Sequence, residues 1–290
     1  MSSFSLRTSN IHPKLMIRKS LLFVPGNNER MIRKALSNQI NADCVILDLE
    51  DSVPVNKKDH ARDIIANVLK KTYHRKSKKE ICVRINQIDS VFFKEDIGFV
   101  QKQNEIDSIV LPKAEKNIDL IYEETGREII PIIETAHGLI NIQDIARSKG
   151  VVALTFGTAD LALSLGGSVE YYNKNSTIRT VVIIVARAYG LDPIDKVCFN
   201  ISDPDVLKTE AMEAKAMGFS GKLAVHPSQV NIINEIFSPT NDEIEWAKKV
   251  LDIYKRAVDL NKGAANLNGQ LVDLVHYKFA KKILESAGIE

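Results

Sequence analysis

Charged side chains stand at the ends of several apolar segments, where buried strands would open onto one edge of a sheet. The clearest case is CVILDLEDSVP (44–54), in which Asp48, Glu50 and Asp51 follow an apolar run. Ionised carboxylates are seldom buried unless they are paired, hydrogen-bonded or bound to a metal. Further strand-end polar residues are Arg84, Asn86, Lys113, Glu115, Glu134, Asp160 and His226. This clustering predicts a polar site, although any single acid could equally cap a helix or form an ion pair.

Two of these acids are suited to hold a cation. Glu134 and Asp160 end neighbouring predicted strands, and no set of His and Cys ligands accompanies them. Such oxygen ligands favour a hard cation such as Mg²⁺ over zinc, with Mn²⁺ as an alternative. The sequence FGTADL places Gly157 and the backbone amides of Thr158 and Ala159 beside that ion, where they suit an anionic oxygen of a substrate.

Arg84 lies within the apolar segment CVRIN (82–86). A cation in such surroundings must face carboxylates or an anionic ligand. Asp48 is the deepest of the three acids in its strand and is expected to pair with a cation such as Arg84. Glu50 and Asp51 are then left beside the metal, where they would orient its waters or its ligands.

Eight short β-rich segments alternate with segments of helical periodicity. The predicted strands cover 20–26, 44–51, 81–86, 108–115, 129–135, 151–160, 196–200 and 221–229. Apolar runs without clean alternation are typical of strands buried on both faces of a parallel sheet. No GxGxxG or Walker A sequence occurs in the chain. The pattern predicts an α/β fold, a (β/α)₈ TIM barrel rather than an open doubly wound sheet.

Three features receive a structural interpretation in this framework. His226 precedes a proline at a turn, which favours a hydrogen-bonded wall residue over a general base. Lys113 is the strand-end lysine able to form a Schiff base, a route that we give little weight. The basic run KKTYHRKSKK (70–79) falls at the opposite end of the barrel from the site, so a solvated loop is favoured over a phosphate site.

The barrel is expected to span residues 18–257, between an N-terminal tail (1–17) and a C-terminal helical extension (258–290) that forms a lid. Within the extension, NKGAANLNG (261–269) resembles a mobile linker that leads to a short helix. The tail lacks the apolar core of a secretory signal. It resembles a transit peptide only in its serines and in having no acid before Glu29.

The composition indicates an ordinary globular protein, with 44% hydrophobic and 26% charged residues. A net charge of +2 is too small to favour a nucleic-acid partner. No apolar stretch reaches the ~18 residues that a membrane span needs. The scattered Cys44, Cys82 and Cys198 are predicted to be small buried hydrophobes in a reducing compartment, so we expect a cytoplasmic protein.

Seven segments, in order, carry a resemblance to a known family. They are RKSLLFVPGNNERMIRKAL, ADCVILDLEDSVPVNKKDHAR, CVRIN, VLPKAE, PIIETAHGLINIQDIA, VVALTFGTADLALSLG and GKLAVHPSQVNIINEIFSPTNDEIEWAKKVL. From Arg18 to about residue 256 the chain closely resembles the citrate lyase β-subunit-like family of the HpcH/HpaI aldolase superfamily. The resemblance implies a TIM barrel, usually in trimers or hexamers, that uses Mg²⁺ for Claisen-type chemistry on acyl thioesters.

Site residues follow from the resemblance by position in these motifs. It implies Glu134 and Asp160 as metal ligands and Arg84 as the substrate-binding arginine that stabilises an enolate. Arg18 matches a segment that frames the opening through which the thioester reaches the site. Asp273 in NGQLVD matches an aspartate that closes over the neighbouring subunit's site and acts as the catalytic base. Alternatively, Asp273 caps the last helix.

The implied activity is that of a Mg²⁺-dependent carbon–carbon lyase. It would cleave or form a 3-hydroxyacyl thioester of CoA or a carrier protein, such as malyl-CoA, citramalyl-CoA or a citryl thioester, giving acetyl-CoA and a 2-keto acid. The expected assembly is a homotrimer or hexamer without nucleic-acid or membrane partners. Two alternatives stay open: a metal-dependent aldolase on free 2-keto acids, and a β subunit of a multi-subunit citrate lyase without independent activity.

Overall fold

The computed structural model describes residues 18–72 and 79–289. Eight parallel strands close into a barrel in chain order, and β1 pairs with β8. They are β1 (Ser20–Pro25), β2 (Cys44–Asp48), β3 (Glu80–Arg84), β4 (Ser108–Leu111), β5 (Glu128–Ile133), β6 (Ala153–Phe156), β7 (Asp192–Asp195) and β8 (Gly221–Ala224). The predicted (β/α)₈ barrel is confirmed. The N-terminal tail and most of the basic run 70–79 lie outside the described residues.

Helices connect the strands and continue after the barrel. They are α1 (Glu29–Leu36), α2 (Lys58–Thr72), α3 (Phe93–Gln101), α4 (Ile118–Thr125), α5 (Ala136–Ile140), α6 (Ile142–Arg147), α7 (Thr158–Leu165), α8 (Val169–Lys174), α9 (Ser176–Ala188), α10 (Pro204–Met217), α11 (Pro227–Phe237), α12 (Asn241–Asp259) and α13 (Leu274–Ser286). Between α12 and α13 lie two short strands, β9 (Ala265–Leu267) and β10 (Gln270–Val272). Among the described residues, no helix is both long enough and apolar enough to cross a membrane.

Two apolar clusters hold the barrel together. Alternate strand residues, among them Leu21, Ile46 and Val110, pack inside the barrel, whereas a larger cluster lies between the strands and the helices. Side chains that alternate along a strand point to opposite faces, which explains the two layers. Cys44 and Cys82 belong to the inner layer, and all three cysteines are free and buried. Their prediction as small buried hydrophobes is confirmed.

The position of the seventh strand differs from the prediction. The predicted segment 196–200 lies outside helices and strands, and β7 comes directly before it. The sequence pattern did not predict β7 at this position. The strand contains Pro193 and has an aspartate at each end, and both residue types are depleted in strands. Pro193 still contributes to the pairing of β7 with β8. Its carbonyl oxygen accepts a hydrogen bond of 2.8 Å from the backbone N–H of Ser220, directly before β8.

Arg18 closes the N-terminal end of the barrel. Its guanidinium donates to Glu80 at 2.7 and 3.0 Å, to Glu128 at 2.8 Å and to Asp192 at 3.4 Å, at the starts of β3, β5 and β7. Arg18 is 6% exposed and Glu80 is 1% exposed. Active sites of such barrels lie at the opposite end, built by the loops that follow the strands. The prediction that Arg18 binds substrate is therefore wrong, because its charge is neutralised at the far end of the barrel.

The segment 261–269 forms part of a hairpin rather than a mobile linker. Strands β9 and β10 pair in antiparallel fashion across Asn268 and Gly269, whose φ angles are 51° and 86°. Two central residues with positive φ give the turn that matches the twist of a tight hairpin, and Asn-Gly is its strongest signal. The linker interpretation is wrong because it treated asparagine and glycine as sources of flexibility.

The C-terminal unit has a small core of its own. Helix α12 packs against α13 and the hairpin, burying Ala247, Val250, Val272, Ala280 and Leu284. By packing, α12 belongs with this unit, although the expected barrel boundary at residue 257 falls near its end. We propose that the extension begins with α12 and that it acts as one body.

Replacing Arg18 by methionine should lower the free energy of unfolding by about 3–5 kcal/mol, because Glu80 would be left buried without its partner. Urea unfolding of the purified protein measures the change. Arg256→Ala is the matched control, since it breaks an exposed pair with Asp252 (2.9 Å) and should cost less than about 1 kcal/mol. Equal losses for the two variants would contradict the buried network.

Candidate active site

A cavity of about 470 Å³ opens at the C-terminal ends of the barrel strands. Its charged lining consists of Asp48, Asp51, Arg84, Glu134 and Asp160. Its apolar lining includes Phe23, Ile132, Phe156, Val197, Phe199, Leu223 and Val225. A cavity with an apolar wall and a few convergent charged groups, at this end of a barrel, is where chemistry is expected. The structure thus brings together the acids, the arginine and the FGTADL residues that the sequence placed at one edge.

Glu134 follows β5 and is only 5% exposed. Its Oε1 accepts a hydrogen bond of 2.8 Å from the backbone N–H of Lys113. Burial raises the pKa of Glu134 to about 7, and the negative charges of Glu50 and Asp160 act in the same direction. The carboxylate form is therefore costly unless a positive charge lies close to it.

Gly157 makes room for the Glu134 side chain. A Cβ atom at residue 157 would lie 2.4 Å from Oε2 of Glu134, which is far inside van der Waals contact. The φ of Gly157, −117°, is open to any residue, so the glycine matters here for the space that it leaves to the end of the Glu134 side chain. Its N–H donates to Ile133 at 3.1 Å and is not free for a ligand. The contribution of Gly157 is room, not a hydrogen-bond donor.

The N-terminus of α7 faces the cavity with Thr158, Ala159 and Asp160. The first backbone N–H groups of a helix have no partner within the helix, and the helix dipole favours negative charge there. Thr158 is buried, and its hydroxyl lies 2.5 Å from Oδ1 of Asn173, which ties the start of α7 to α8. This end of the cavity can bind an anionic oxygen beside Asp160.

Arg84 is held rigidly at the end of β3. It donates two hydrogen bonds of 2.6 Å to Asp48, and its third nitrogen lies 2.9 Å from Oε2 of Glu50. Its guanidinium carbon lies 4.9 Å from the centre of the Phe23 ring. Although burial opposes ionisation, these contacts with Arg84 hold the pKa of Asp48 below its usual value. The expected pairing of Asp48 with Arg84 is confirmed.

Lys113 was placed at this edge by the sequence, but its contacts with the acids were not predicted. Its ammonium lies 2.9 Å from Oε1 of Glu50 and 3.6 Å from Oδ1 of Asp160. The hydrogen bond and the charge of Glu50 outweigh burial and raise the pKa of Lys113. A lysine that keeps its proton is a poor Schiff-base nucleophile, so this alternative loses support. The feature of the sequence that could have indicated these contacts is the position of Lys113 in VLPKAE, shortly after a strand.

The donor set fits a hard divalent cation. The acids are Asp48, Glu50, Asp51, Glu134 and Asp160, and the two cations that contact them are Arg84 and Lys113. If all of them ionise, five negative charges face two positive ones, and three remain uncompensated. Oxygen ligands with excess negative charge suit Mg²⁺. Within this set, Glu50 is buried between Arg84 and Lys113. Asp51 is exposed and lies at the edge of the set, near Arg84.

A second group of potential ligands, Cys44, Glu80 and Cys82, lies inside the barrel with ligand atoms within 4.8 Å of one another. It does not suit a metal. Glu80 already accepts hydrogen bonds from Arg18 and, at 2.5 Å, from Ser108. The two sulfur atoms lie 3.0 Å apart, in hydrogen-bond contact with each other. We therefore assign these side chains to the packing of the barrel.

Asp273 is not among the described residues that line the cavity. It caps the N-terminus of α13 by accepting hydrogen bonds from the N–H groups of Val275 (2.9 Å) and His276 (3.2 Å). His276 Nδ1 also lies 2.7 Å from it. His226 similarly caps α11, in agreement with a hydrogen-bonded structural residue, but it lies outside the cavity lining and so forms no wall of the site.

The sequence matches a known family model and several characterised proteins. The model described as HpcH/HpaI aldolase/citrate lyase matches residues 19–227. The mitochondrial citramalyl-CoA lyase of Rattus norvegicus is 33% identical over 94% of this chain and 87% of its own length. The (3S)-malyl-CoA thioesterase of Cereibacter sphaeroides is 32% identical over 93% of this chain and 94% of its own length. The citrate lyase β subunit of Leuconostoc mesenteroides is 30% identical over 93% of this chain and 93% of its own length.

Solved structures with the same fold contain magnesium together with keto acids, and one of them also contains coenzyme A. CitE from Mycobacterium tuberculosis, in complex with magnesium, acetoacetate and coenzyme A, superposes with a TM-score of 0.77 and 28% identity over 93% of this chain and 98% of that chain. The citrate lyase β subunit of the same organism, complexed with oxaloacetate and magnesium, gives a TM-score of 0.65 and 28% identity over 76% and 96%.

Replacing Gly157 by alanine should displace Glu134 and weaken Mg²⁺ binding by at least about tenfold, because the new Cβ overlaps Oε2. Isothermal titration calorimetry of the metal-free protein measures the affinity. Gly98→Ala in α3 is the matched control, since nothing lies within 4 Å of its added Cβ. Unchanged Mg²⁺ affinity in Gly157→Ala would show that this contact does not position Glu134.

Proposed function

The chain belongs to the HpcH/HpaI aldolase/citrate lyase family and is an oxo-acid lyase, and we propose that it cleaves or forms the carbon–carbon bond of a 3-hydroxyacyl-CoA thioester with the aid of Mg²⁺. Malyl-CoA, citramalyl-CoA and citryl thioesters are the proposed substrate class, with acetyl-CoA and a 2-keto acid as products. One observation carries the proposal: the buried Glu134 carboxyl faces the same cavity as Asp160 and the N-terminus of α7.

Glu134 and Asp160 would hold the metal, with Mn²⁺ as an alternative to Mg²⁺. When bound, such an ion supplies the positive charge that polarises the oxygens of the substrate. The same charge offsets the cost of ionising Glu134 in its buried position. Glu50 and Asp51 would orient water or ligands at the edge of the site.

Arg84 is the proposed stabiliser of the thioester enolate that bond cleavage leaves behind. Its guanidinium faces the cavity and is already fixed by Asp48 and Glu50, so little reorganisation is needed when negative charge develops. The amides of Thr158 and Ala159 would bind the carboxylate or keto oxygen of the 2-keto acid part. These groups would hold the two products on either side of the breaking bond.

Asp273 is the proposed base, which takes the proton of the 3-hydroxyl group as the carbon–carbon bond breaks and then returns a proton to the enolate carbon to give acetyl-CoA. Because it does not line the cavity of its own chain, a neighbouring subunit would supply it, and we propose a homotrimer or hexamer. Leu271, Leu274, Val275 and Phe279 stand exposed around Asp273 and suit burial against such a neighbour. We place the enzyme in the cytoplasm and leave CoA and a carrier protein as alternative thioester carriers.

Glu134→Gln should lower lyase activity by at least about a hundredfold while the fold is retained, because the amide cannot replace a charged ligand. The assay incubates the purified chain with Mg²⁺ and a panel of hydroxyacyl-CoAs, and it detects acetyl-CoA, glyoxylate, pyruvate and oxaloacetate. Chelation should abolish activity and added Mg²⁺ should restore it. Full activity without a divalent metal would refute the proposal.

The same assay separates the alternatives. An aldolase for free 2-keto acids would turn over free hydroxy-keto acids and leave the CoA thioesters intact. A β subunit that depends on partners would be inactive as a purified chain. Gel filtration of the active fraction reports the assembly.

Asp273→Asn distinguishes the base from the helix cap. Asparagine caps helices as well as aspartate does but cannot accept the proton, so turnover should fall by at least about a hundredfold at unchanged thermal stability. Asp203→Asn is the control, because Asp203 also caps a helix, α10, by accepting from the N–H two residues further along. Wild-type turnover by Asp273→Asn would leave this residue a structural cap alone.

A further inference from the structure

We propose that Lys113 is a positioning residue whose ammonium acts as an internal cation of the site, neutralising its carboxylates until the divalent ion binds and thereby limiting Mg²⁺ affinity. This inference rests on the metal site proposed above. It assigns to Lys113 a part in metal binding rather than in bond cleavage.

Lys113 contacts the acidic cluster from both of its ends. Its backbone N–H donates to Glu134 at 2.8 Å. Its ammonium lies 2.9 Å from Glu50 and 3.6 Å from Asp160. One residue therefore contacts both proposed metal ligands, one through the main chain and the other through its charge.

The backbone at Lys113 is adapted to this double contact. Its φ is 48°, in the left-handed region that residues other than glycine seldom adopt. The backbone N–H of the next residue, Ala114, donates a hydrogen bond of 3.2 Å to the carbonyl oxygen of Ile132 in β5. The turn at Lys113 thus aims both its N–H and its side chain at the cluster. Such backbone conformations persist where the surrounding structure enforces them, and they are common at functional sites.

The charges explain why Lys113 would oppose the metal. An ion held by Glu134 and Asp160 would lie within a few ångströms of the ammonium, and like charges repel strongly in a partly buried site. Glu50 binds the ammonium more closely than Asp160 does, by 2.9 against 3.6 Å. We infer that Glu50 draws the ammonium away from Asp160 and so leaves that carboxylate accessible to the metal.

The test measures Mg²⁺ binding to the metal-free protein by isothermal titration calorimetry. Lys113→Met removes the ammonium and keeps the N–H that binds Glu134, so Mg²⁺ should bind at least about tenfold more tightly. Lys113→Gly does the same and adopts a positive φ without strain, which guards against poor folding of the first variant. Lys116→Met, three positions along and exposed, is the control and should bind as the wild type does.

The direction of the change is diagnostic. A residue that only supports the structure would loosen Mg²⁺ binding when replaced, whereas a competing cation tightens it. Unchanged or weaker binding by both Lys113→Met and Lys113→Gly would overturn the inference. If Glu134→Gln abolishes binding in the same experiment, the proposed metal site survives that result. If the wild type binds no Mg²⁺, the metal site and the inference fail together.

A second comparison tests the part given to Glu50. Glu50→Gln should weaken Mg²⁺ binding in the wild type, because the ammonium is released toward Asp160. In a protein that also carries Lys113→Met, the loss caused by Glu50→Gln should be at least about threefold smaller, since contacting residues show coupled effects. Equal losses in the two backgrounds would overturn the claim that Glu50 restrains the lysine.

Discussion

The burial of the Glu134 carboxyl at the end of β5 is the constraint on which the rest of the site depends. Burial raises its pKa to about 7 even though the N–H of Lys113 donates to it, so at neutral pH the group is only partly ionised unless further positive charge compensates it. The N–H of Lys113 supplies one donor, and Gly157 supplies the space. A divalent cation shared with Asp160 would supply the positive charge that the Glu134 carboxylate still needs. The loops after β4, β5 and β6 would then all serve the binding of one proposed ion.

The two ends of the barrel use charge in opposite ways. At the N-terminal end, the buried Arg18 donates to three acids and so joins the starts of β3, β5 and β7. At the C-terminal end, acids outnumber cations around an open cavity, and both cations contact more than one acid. This division agrees with the rule that one face of such barrels carries stability and the other carries chemistry.

The amino-acid sequence was sufficient to predict the barrel and most of the groups that face its cavity. Eight apolar segments with helical segments between them are local patterns, and polar residues at their ends mark one edge whatever the exact packing. Glu134, Asp160 and Arg84 were found in this way. The pairing of Asp48 with Arg84 was also predictable, because an arginine within an apolar strand requires a carboxylate nearby.

The tertiary structure alone decided the contacts between residues far apart in the chain. Arg18 meets acids 62, 110 and 174 positions away, and although its place before β1 assigns it to the N-terminal end of the barrel, no local pattern indicates these partners. Lys113 reaches Glu50 across 63 positions, so its place in the cluster depends on the left-handed turn after β4. The part proposed for Asp273 would depend on a neighbouring subunit, because one chain shows only its helix cap. Local periodicity specifies strands and their ends, whereas charge pairing depends on distances that only the closed barrel sets.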